Sequence, residues 1–462
     1  MFQSMLERRT HVGFFIVAAV LLVYIPLMFH LLNFPSVFPV YGDGQYYVSL
    51  ADNLLYHGVF SDSLEAPFVP ATFIMPIYPF LLAVFKAFFG SYMLFPIIQM
   101  ILAGATAFFI FKIGERVFSE RVGLVAAILF LLDPTTIFHS LIIMTDITYV
   151  FFIVLSVYLL FFSSEEDIPT RTFFSGLMFG AAMLIRVVSM FLPFLIIPMY
   201  FFVKRKHMPM KKIAIHLLIF AIAYSAVVIP WMARNKIASG VWGIAGEKSL
   251  NLFQYYVPEF LSFSRGISAD DGRNILMSDL TREVGPVKPQ DVGSLKYAPF
   301  EQKIALKYVK QDIFGYAKFH LIKMVPFFLS SQIKNSMVFY NNALAYEAYR
   351  TNTGNLTNLL SKGRVGEFFK ELSVQPLVTF EQFLWFCLFV LMLMGIVFSD
   401  KDNRPYVFAF TALILYFAAL TGPMAYSRFR LPAAPFIFLL ASFGASVAYK
   451  AGRNFLNRKK VT

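Results

Sequence analysis

Residues 211–235 read KKIAIHLLIFAIAYSAVVIPWMARN. Between Lys212 and Arg234 the chain is almost wholly apolar over 213–231. A helix rises about 1.5 Å per residue, so a run of this length covers most of a hydrocarbon layer about 30 Å thick. The paired lysines mark its cytoplasmic end. Nine further runs behave the same way, giving ten expected spans at approximately 12–32, 92–111, 121–138, 146–162, 172–186, 187–203, 213–231, 381–398, 405–421 and 431–449. The first follows Arg8 and Arg9; it is too long for a signal peptide and lacks a small-x-small cleavage site, so it reads as a retained anchor.

The whole composition agrees. Of 462 residues, 58% are hydrophobic, 15% are charged and 56 are Phe, and the mean hydropathy is +0.65. These values lie outside the range of ordinary soluble domains. The expected fold class is therefore an all-α polytopic membrane protein with about ten transmembrane helices (range 9–13), outer juxtamembrane helices and a small extracytoplasmic cap. Cys387 is the single cysteine, which excludes a disulfide framework and a cysteine metal site.

The net charge of +13 is explained by topology. With both termini in the cytoplasm, the short inside segments collect Lys112, Arg116, Lys204, Arg205, Lys211 and Lys212 among others, while the short outside segments hold Lys86, Arg186, Arg428 and Arg430. Basic residues concentrate on the cytoplasmic side of membrane proteins. Nucleic acid is therefore not an expected partner. Residues 1–231 form an N-terminal transmembrane module with a first outer loop at 33–91. Residues 232–378 form an extracytoplasmic cap region, and 379–462 the C-terminal spans. Pro76–Gly90 reads as an interfacial helix, because it is short and carries two prolines and Lys86. His320–Ser331 is shorter still.

Ionisable residues at membrane boundaries are costly and mark candidate sites when they share one side. The outer ends of separate spans carry Asp43, Asp133, Asp146, Arg186, Arg234, Arg428 and Arg430. Asp43 lies in YGDGQYY, residues 41–47, between two glycines that allow unusual backbone geometry and close approach. Its bland alternative is a turn that caps the helix following it. Asp146 in MTDITYV could likewise complement a helix dipole, with Thr145 as cap. Asp133 precedes Pro134 and reads as a helix end, and His139 as an interfacial side chain. The paired Arg428 and Arg430 of SRFRLP suit a phosphate, since a guanidinium offers a two-pronged donor; their alternative is snorkelling to headgroups. Tyr41, Tyr46, Tyr47 and Tyr78 are candidate substrate-lining groups, although interfacial belts favour tyrosine in any case.

The order of these motifs resembles that of bacterial membrane glycosyltransferases: YGDGQYYVSLADNLLYHG, MPIYPFLLAVFK, MTDITYVFFIVLSVYLLFF, GLMFGAAMLIRVVSMFLPFLIIP, VVIPWMARNKIASGVWGIAGEKSLNLFQYY and SRFRLPAAPFIFLLAS. The chain looks like the lipid-dependent enzymes that include protein O-mannosyltransferases and the lipid A aminoarabinose transferase, over residues 1–250 and 380–450. The resemblance implies the C-type glycosyltransferase fold, a polyprenyl-phosphate-linked sugar donor and inverting transfer. It implies a lipid, glycan or protein acceptor at the outer face of the cytoplasmic membrane. It assigns Asp43 as catalytic base, Asp146 as its partner, and Arg428 or Arg430 to the donor phosphate, joined by Arg186 and Arg234 from the charge pattern. A divalent metal ion on Asp43 and Asp146 is the one cofactor left open. Two departures from the aminoarabinose transferase are expected to matter: MPIYP lacks a neighbouring basic residue, and the soluble C-terminal region is absent. The rival reading is a transporter or flippase for a lipid-linked or anionic substrate. Carriers place ionisable groups at mid-membrane within related halves, whereas these charges gather at one end and no repeat is visible.

Overall fold

The computed structural model describes residues 20–32, 40, 42–162, 168–333, 336, 364–366 and 376–459. Among them the chain is helical, with no strand. The N-terminal half runs through α1 (Ile25–Leu32), α2 (Gly44–His57), α3 (Ile77–Phe89), α4 (Phe95–Val117), α5 (Glu120–Leu132), α6 (Pro134–Leu141), α7 (Asp146–Phe161), α8 (Ile168–Met183), α9 (Leu192–Lys204) and α10 (Met210–Ser239). A second group comprises α11 (Val257–Arg265), α12 (Ala269–Val284), α13 (Ala298–Gln311) and α14 (Ile313–Leu329). The C-terminal part contains α15 (Pro376–Val397), α16 (Arg404–Thr421) and α17 (Ala434–Lys459).

Six helices among the described residues are long and apolar enough to cross a membrane, and the pair α5 and α6, bent by 54°, makes a seventh if taken as one span. The expected count of ten is not reached by length alone. Helices α7 and α8 have 16 residues each, short of the roughly 20 required. Of the first expected span, 12–32, residues 20–32 are described and are helical, and the rest lies outside the described residues. The 13-residue α3 and the 17-residue α14 also fall below a spanning length.

Small residues set the helix spacing. Helices α15 and α17 cross where Gly395 meets Gly444; a Cβ on Gly444 would lie 1.8 Å from the Leu391 carbonyl oxygen. Membrane helices gain their contact energy by such close approach, because lipid tails are as apolar as the side chains they replace. Helix α10 continues through Pro230 to Ser239, so Arg234 rides on the same helix rather than in the loop after it.

Helices α11 to α13 gather their own apolar cluster around Phe253, Val257, Leu261, Leu276, Leu280 and Ile304. This cluster is tied to one end of the bundle. Tyr256 donates to the Leu420 carbonyl at 3.1 Å, and the Leu295 amide donates to the Thr72 hydroxyl at 3.1 Å. The amides of Gly246 and Glu247 donate to the Thr72 and Phe73 carbonyls at 3.0 and 3.2 Å. The segment around Thr72 and Phe73 and the segments around Gly246 and Leu295 therefore meet directly.

Candidate active site

The loop entering α2 is built around its glycines. Gly42 has φ +54°, a conformation that side-chain-bearing residues seldom adopt. A Cβ on Gly44 would sit 2.6 Å from the Ile143 carbonyl oxygen, so only glycine lets this loop lie against the entry to α7. Asp43 stands at the N-cap position of α2 yet makes no side-chain capping bond. The simple turn reading is thus not the one adopted. Its Oδ2 instead accepts from Arg428 Nη1 at 2.9 Å, across most of the chain's length.

Arg428 belongs to the short helical turn Ser427–Arg430 and links two carboxylates. Its Nε donates to Asp146 at 3.1 and 3.3 Å while Nη1 reaches Asp43. Asp146 opens α7 with its side chain wholly buried, and Arg186, in the extended turn after α8, forms a second ion pair with it. A buried carboxylate needs such company, because leaving it unpaired costs several kcal/mol. His139 from α6 completes the wall, with Nδ1 3.7 Å from Asp146 Oδ2. Asp43, Asp146, Arg186 and Arg428 are thus brought together from four separate parts of the chain. Asp43 alone among the two acids reaches outward, with its side chain 58% exposed.

Other residues singled out in the sequence lie elsewhere. Arg430 is buried over the Trp385 ring, 3.5 Å from its centroid, and donates to the carbonyls of Phe327, Phe328 and Ser330 at 3.1–3.3 Å. It closes the C-terminal end of α14, not the carboxylate cluster. Arg234 donates to the carbonyls of Ala71 and Phe60 at 2.6 and 3.2 Å, holding the segment between α2 and α3 against α10. Tyr78 is buried behind Tyr47, with its hydroxyl given to Gln99 at 2.8 Å. Tyr47 is buried close to the charges of Arg428, Glu247 and Asp43, and burial pushes its hydroxyl above the usual tyrosine range. Tyr46 packs edge-on against Phe73. Tyr41 lies outside the described residues. Asp133 ends α5, as its place before proline suggests, and also caps the start of α6 by accepting from the Thr136 amide at 3.0 Å.

Beside this cluster opens a cavity of about 190 Å³. Arg186, Glu247 and Lys248 are its charged lining, and Val187, Phe191, Leu252, Phe417 and Leu420 contribute an apolar wall. Lys248 has no carboxylate partner among the described residues; its ammonium lies 4.6 Å from the Phe191 ring centre, and burial lowers its pKa from 10.5. Glu247 and Lys248 were not singled out in the sequence. Their only signal was two adjacent charges, GEKS, inside an otherwise aromatic and apolar stretch.

The acids do not suit a divalent metal. Both oxygens of Asp146 already face guanidinium groups, and the Asp43 oxygen nearest them is held by Arg428, so a cation there would meet two like charges. Among the described residues no three His, Cys, Asp or Glu side chains form a metal-sized group.

Residues 70–231 match the family model described as dolichyl-phosphate-mannose-protein mannosyltransferase. No curated protein matches the sequence. The apo structure of the Archaeoglobus fulgidus oligosaccharyltransferase superposes with a TM-score of 0.53 at 14% identity, covering 98% of this chain and 52% of that one. The same enzyme tethered to an acceptor peptide gives 0.51 at 12% identity, covering 95% and 50%. ArnT from Cupriavidus metallidurans bound to undecaprenyl phosphate gives 0.42 at 12% identity, covering 93% and 76%. The chain spans about half the length of the oligosaccharyltransferase it matches. The chain shares the helical fold of the oligosaccharyltransferase's matched part.

Proposed function

We propose that the protein transfers a sugar from a polyprenyl-phosphate donor to a lipid, glycan or protein acceptor at the outer face of the cytoplasmic membrane, with both termini cytoplasmic. The observation that carries this reading is the Arg428 bridge, which holds one buried and one exposed carboxylate, the buried one paired also with Arg186, which together with Lys248 lines a mainly apolar cavity.

The chemistry follows from that arrangement. An acceptor hydroxyl attacks the anomeric carbon; its proton passes to Asp43, the new C–O bond forms, and the bond to the phosphate oxygen breaks with its electron pair leaving on the carrier. The anomeric centre inverts, because attack is opposite to the leaving group. Asp43 is suited to the base role by exposure and by the fixed position that Arg428 gives it. Arg186 and Lys248 are suited to hold the phosphate, whose charge grows as it leaves. The apolar wall at Val187, Phe191, Phe417 and Leu420 suits the first isoprene units. Asp146 positions both arginines and takes no proton. The family match at residues 70–231 supports a lipid-phosphate donor.

Asp43→Asn removes the base while preserving shape. Transfer from polyprenyl-phosphate sugars in a native membrane lipid extract should fall by about 100-fold or more, with the protein still folded by its thermal transition. Near-normal transfer by this variant would remove Asp43 from the role.

A further inference from the structure

Glu247 is the one charged group at the cavity that the reaction above leaves unused. Its backbone is firmly placed: the amide donates to the Phe73 carbonyl at 3.2 Å. Just upstream, the Ile244 carbonyl accepts from Trp231 Nε1 at 2.9 Å and from Asn235 Nδ2 at 2.8 Å. Its carboxylate, by contrast, makes no hydrogen bond or salt bridge among the described residues, although it lines the cavity with Arg186 and Lys248. Burial pushes this carboxyl above its usual range, with Arg186 and Arg428 opposing the shift. The residue is part-buried and opens on the cavity, so its two acceptor oxygens are placed to take donors from a bound ligand.

Its position separates it from Asp43. Glu247 lines the same cavity as the phosphate-binding cations, whereas Asp43 lies beyond Arg428, does not line the cavity and faces outward. In an inverting displacement the base and the leaving group stand on opposite faces of the sugar, so a carboxylate on the phosphate side is badly placed to take the acceptor proton. Next to a phosphate it would be repelled, unless the bound ligand also brings hydrogen-bond donors. The part of the donor that carries such donors beside the phosphate is the sugar ring, whose adjacent hydroxyls match the two oxygens of a carboxylate.

We propose that Glu247 reads the donor sugar: its carboxylate accepts hydrogen bonds from neighbouring ring hydroxyls of the glycosyl group carried on the polyprenyl phosphate. This rests on the transferase reading above, and it names the substrate class as a sugar with free adjacent hydroxyls on the face turned to the cap. The residue contributes specificity and orientation, and it takes no proton.

The test uses the full chain carrying Asp43→Asn, so that bound donor is not consumed. This protein, and the same protein with Glu247→Gln or Glu247→Ala, is equilibrated in detergent with a native membrane lipid extract. Mass spectrometry then counts sugar-bearing against bare polyprenyl phosphate on each. The expected result is a fall of about 10-fold in that ratio for Glu247→Ala and a smaller fall for Glu247→Gln. Binding of added undecaprenyl phosphate should be unchanged or tighter, since a like charge has been removed. An unchanged ratio overturns the proposal, and so does an equal loss of both lipids, which would make Glu247 a part of the cavity wall only. If the Asp43→Asn protein itself retains no polyprenyl lipid while Arg428 and Asp146 are intact, the transferase reading fails first and this inference falls with it.

Discussion

Arg428 and Arg430 stand two residues apart in one helical turn, both largely withdrawn from solvent, and they do opposite things. Arg428 spends its guanidinium on two acidic side chains from distant helices. Arg430 spends its own on three main-chain carbonyls and the face of Trp385, with the charges of Asp133 and Glu381 nearby. A step of two residues on a helix turns the side chain by roughly 200°, so one turn presents one arginine to the carboxylate pair and the other to the bundle interior. The difference separates the proposed reaction centre from its foundation. Acidic partners leave a cation able to respond to a substrate, while carbonyl partners at a helix C-terminus fix a position.

The comparison is most strongly tested by Arg428→Lys. Arg428 reaches Asp146 through Nε and Asp43 through Nη1, and one ammonium group cannot span both. Transfer should fall by about 1000-fold, comparable to the loss of a catalytic base, while the protein remains folded because Arg186 still neutralises Asp146. Activity close to wild type, measured as kcat with the native lipid extract, would mean that the bridge is ordinary ion pairing without a catalytic consequence.

A smaller effect is expected at the cavity. Lys248→Met keeps the stem and removes the charge, and should raise the donor KM and also lower kcat, by about 10-fold to 100-fold together in kcat/KM, because the phosphate it holds gains charge as it leaves. Burial lowers the Lys248 pKa from its ordinary 10.5, so the ammonium is less stable in the free protein than in water. Only the charged form attracts phosphate. Wild-type affinity for undecaprenyl phosphate should therefore weaken as pH rises through that lowered value, and the same titration of Lys248→Met should lose this slope. A retained slope would assign the titration to another group.

How far the sequence could be read follows the same division. Asp43, Asp146, Arg186 and Arg428 were visible because each interrupts or ends an apolar run, where charge needs a reason. Which of Arg428 and Arg430 faces the site was not visible, since both satisfy that rule and only the start of the turn decides the direction. Glu247 and Lys248 were missed because adjacent opposite charges in a long outer segment usually mean a solvated turn; what buries them is the pairing of residues 246–247 with 72–73, a contact between distant segments that no local pattern encodes. His139 read as an interfacial side chain for a similar reason, as the 54° bend between α5 and α6 brings it to Asp146.

The smallest effect on chemistry is expected at Arg430, with its cost appearing in stability instead. Arg430→Gln leaves several carbonyls at the end of α14 without their donor and removes the cation from the Trp385 face. The loss should be about 2–4 kcal/mol, seen as a clear fall in Tm of the detergent-purified protein. In the fraction that stays folded, donor KM and kcat should remain within about twofold of wild type, because no atom of Arg430 reaches the Asp43 and Asp146 pair or lines the cavity. A tenfold rise in KM at unchanged Tm would reverse the assignment and put both arginines on the phosphate. The distinction between the two halves of the turn would then be one of distance to the ligand, with Arg430 released from the carbonyls when the donor binds.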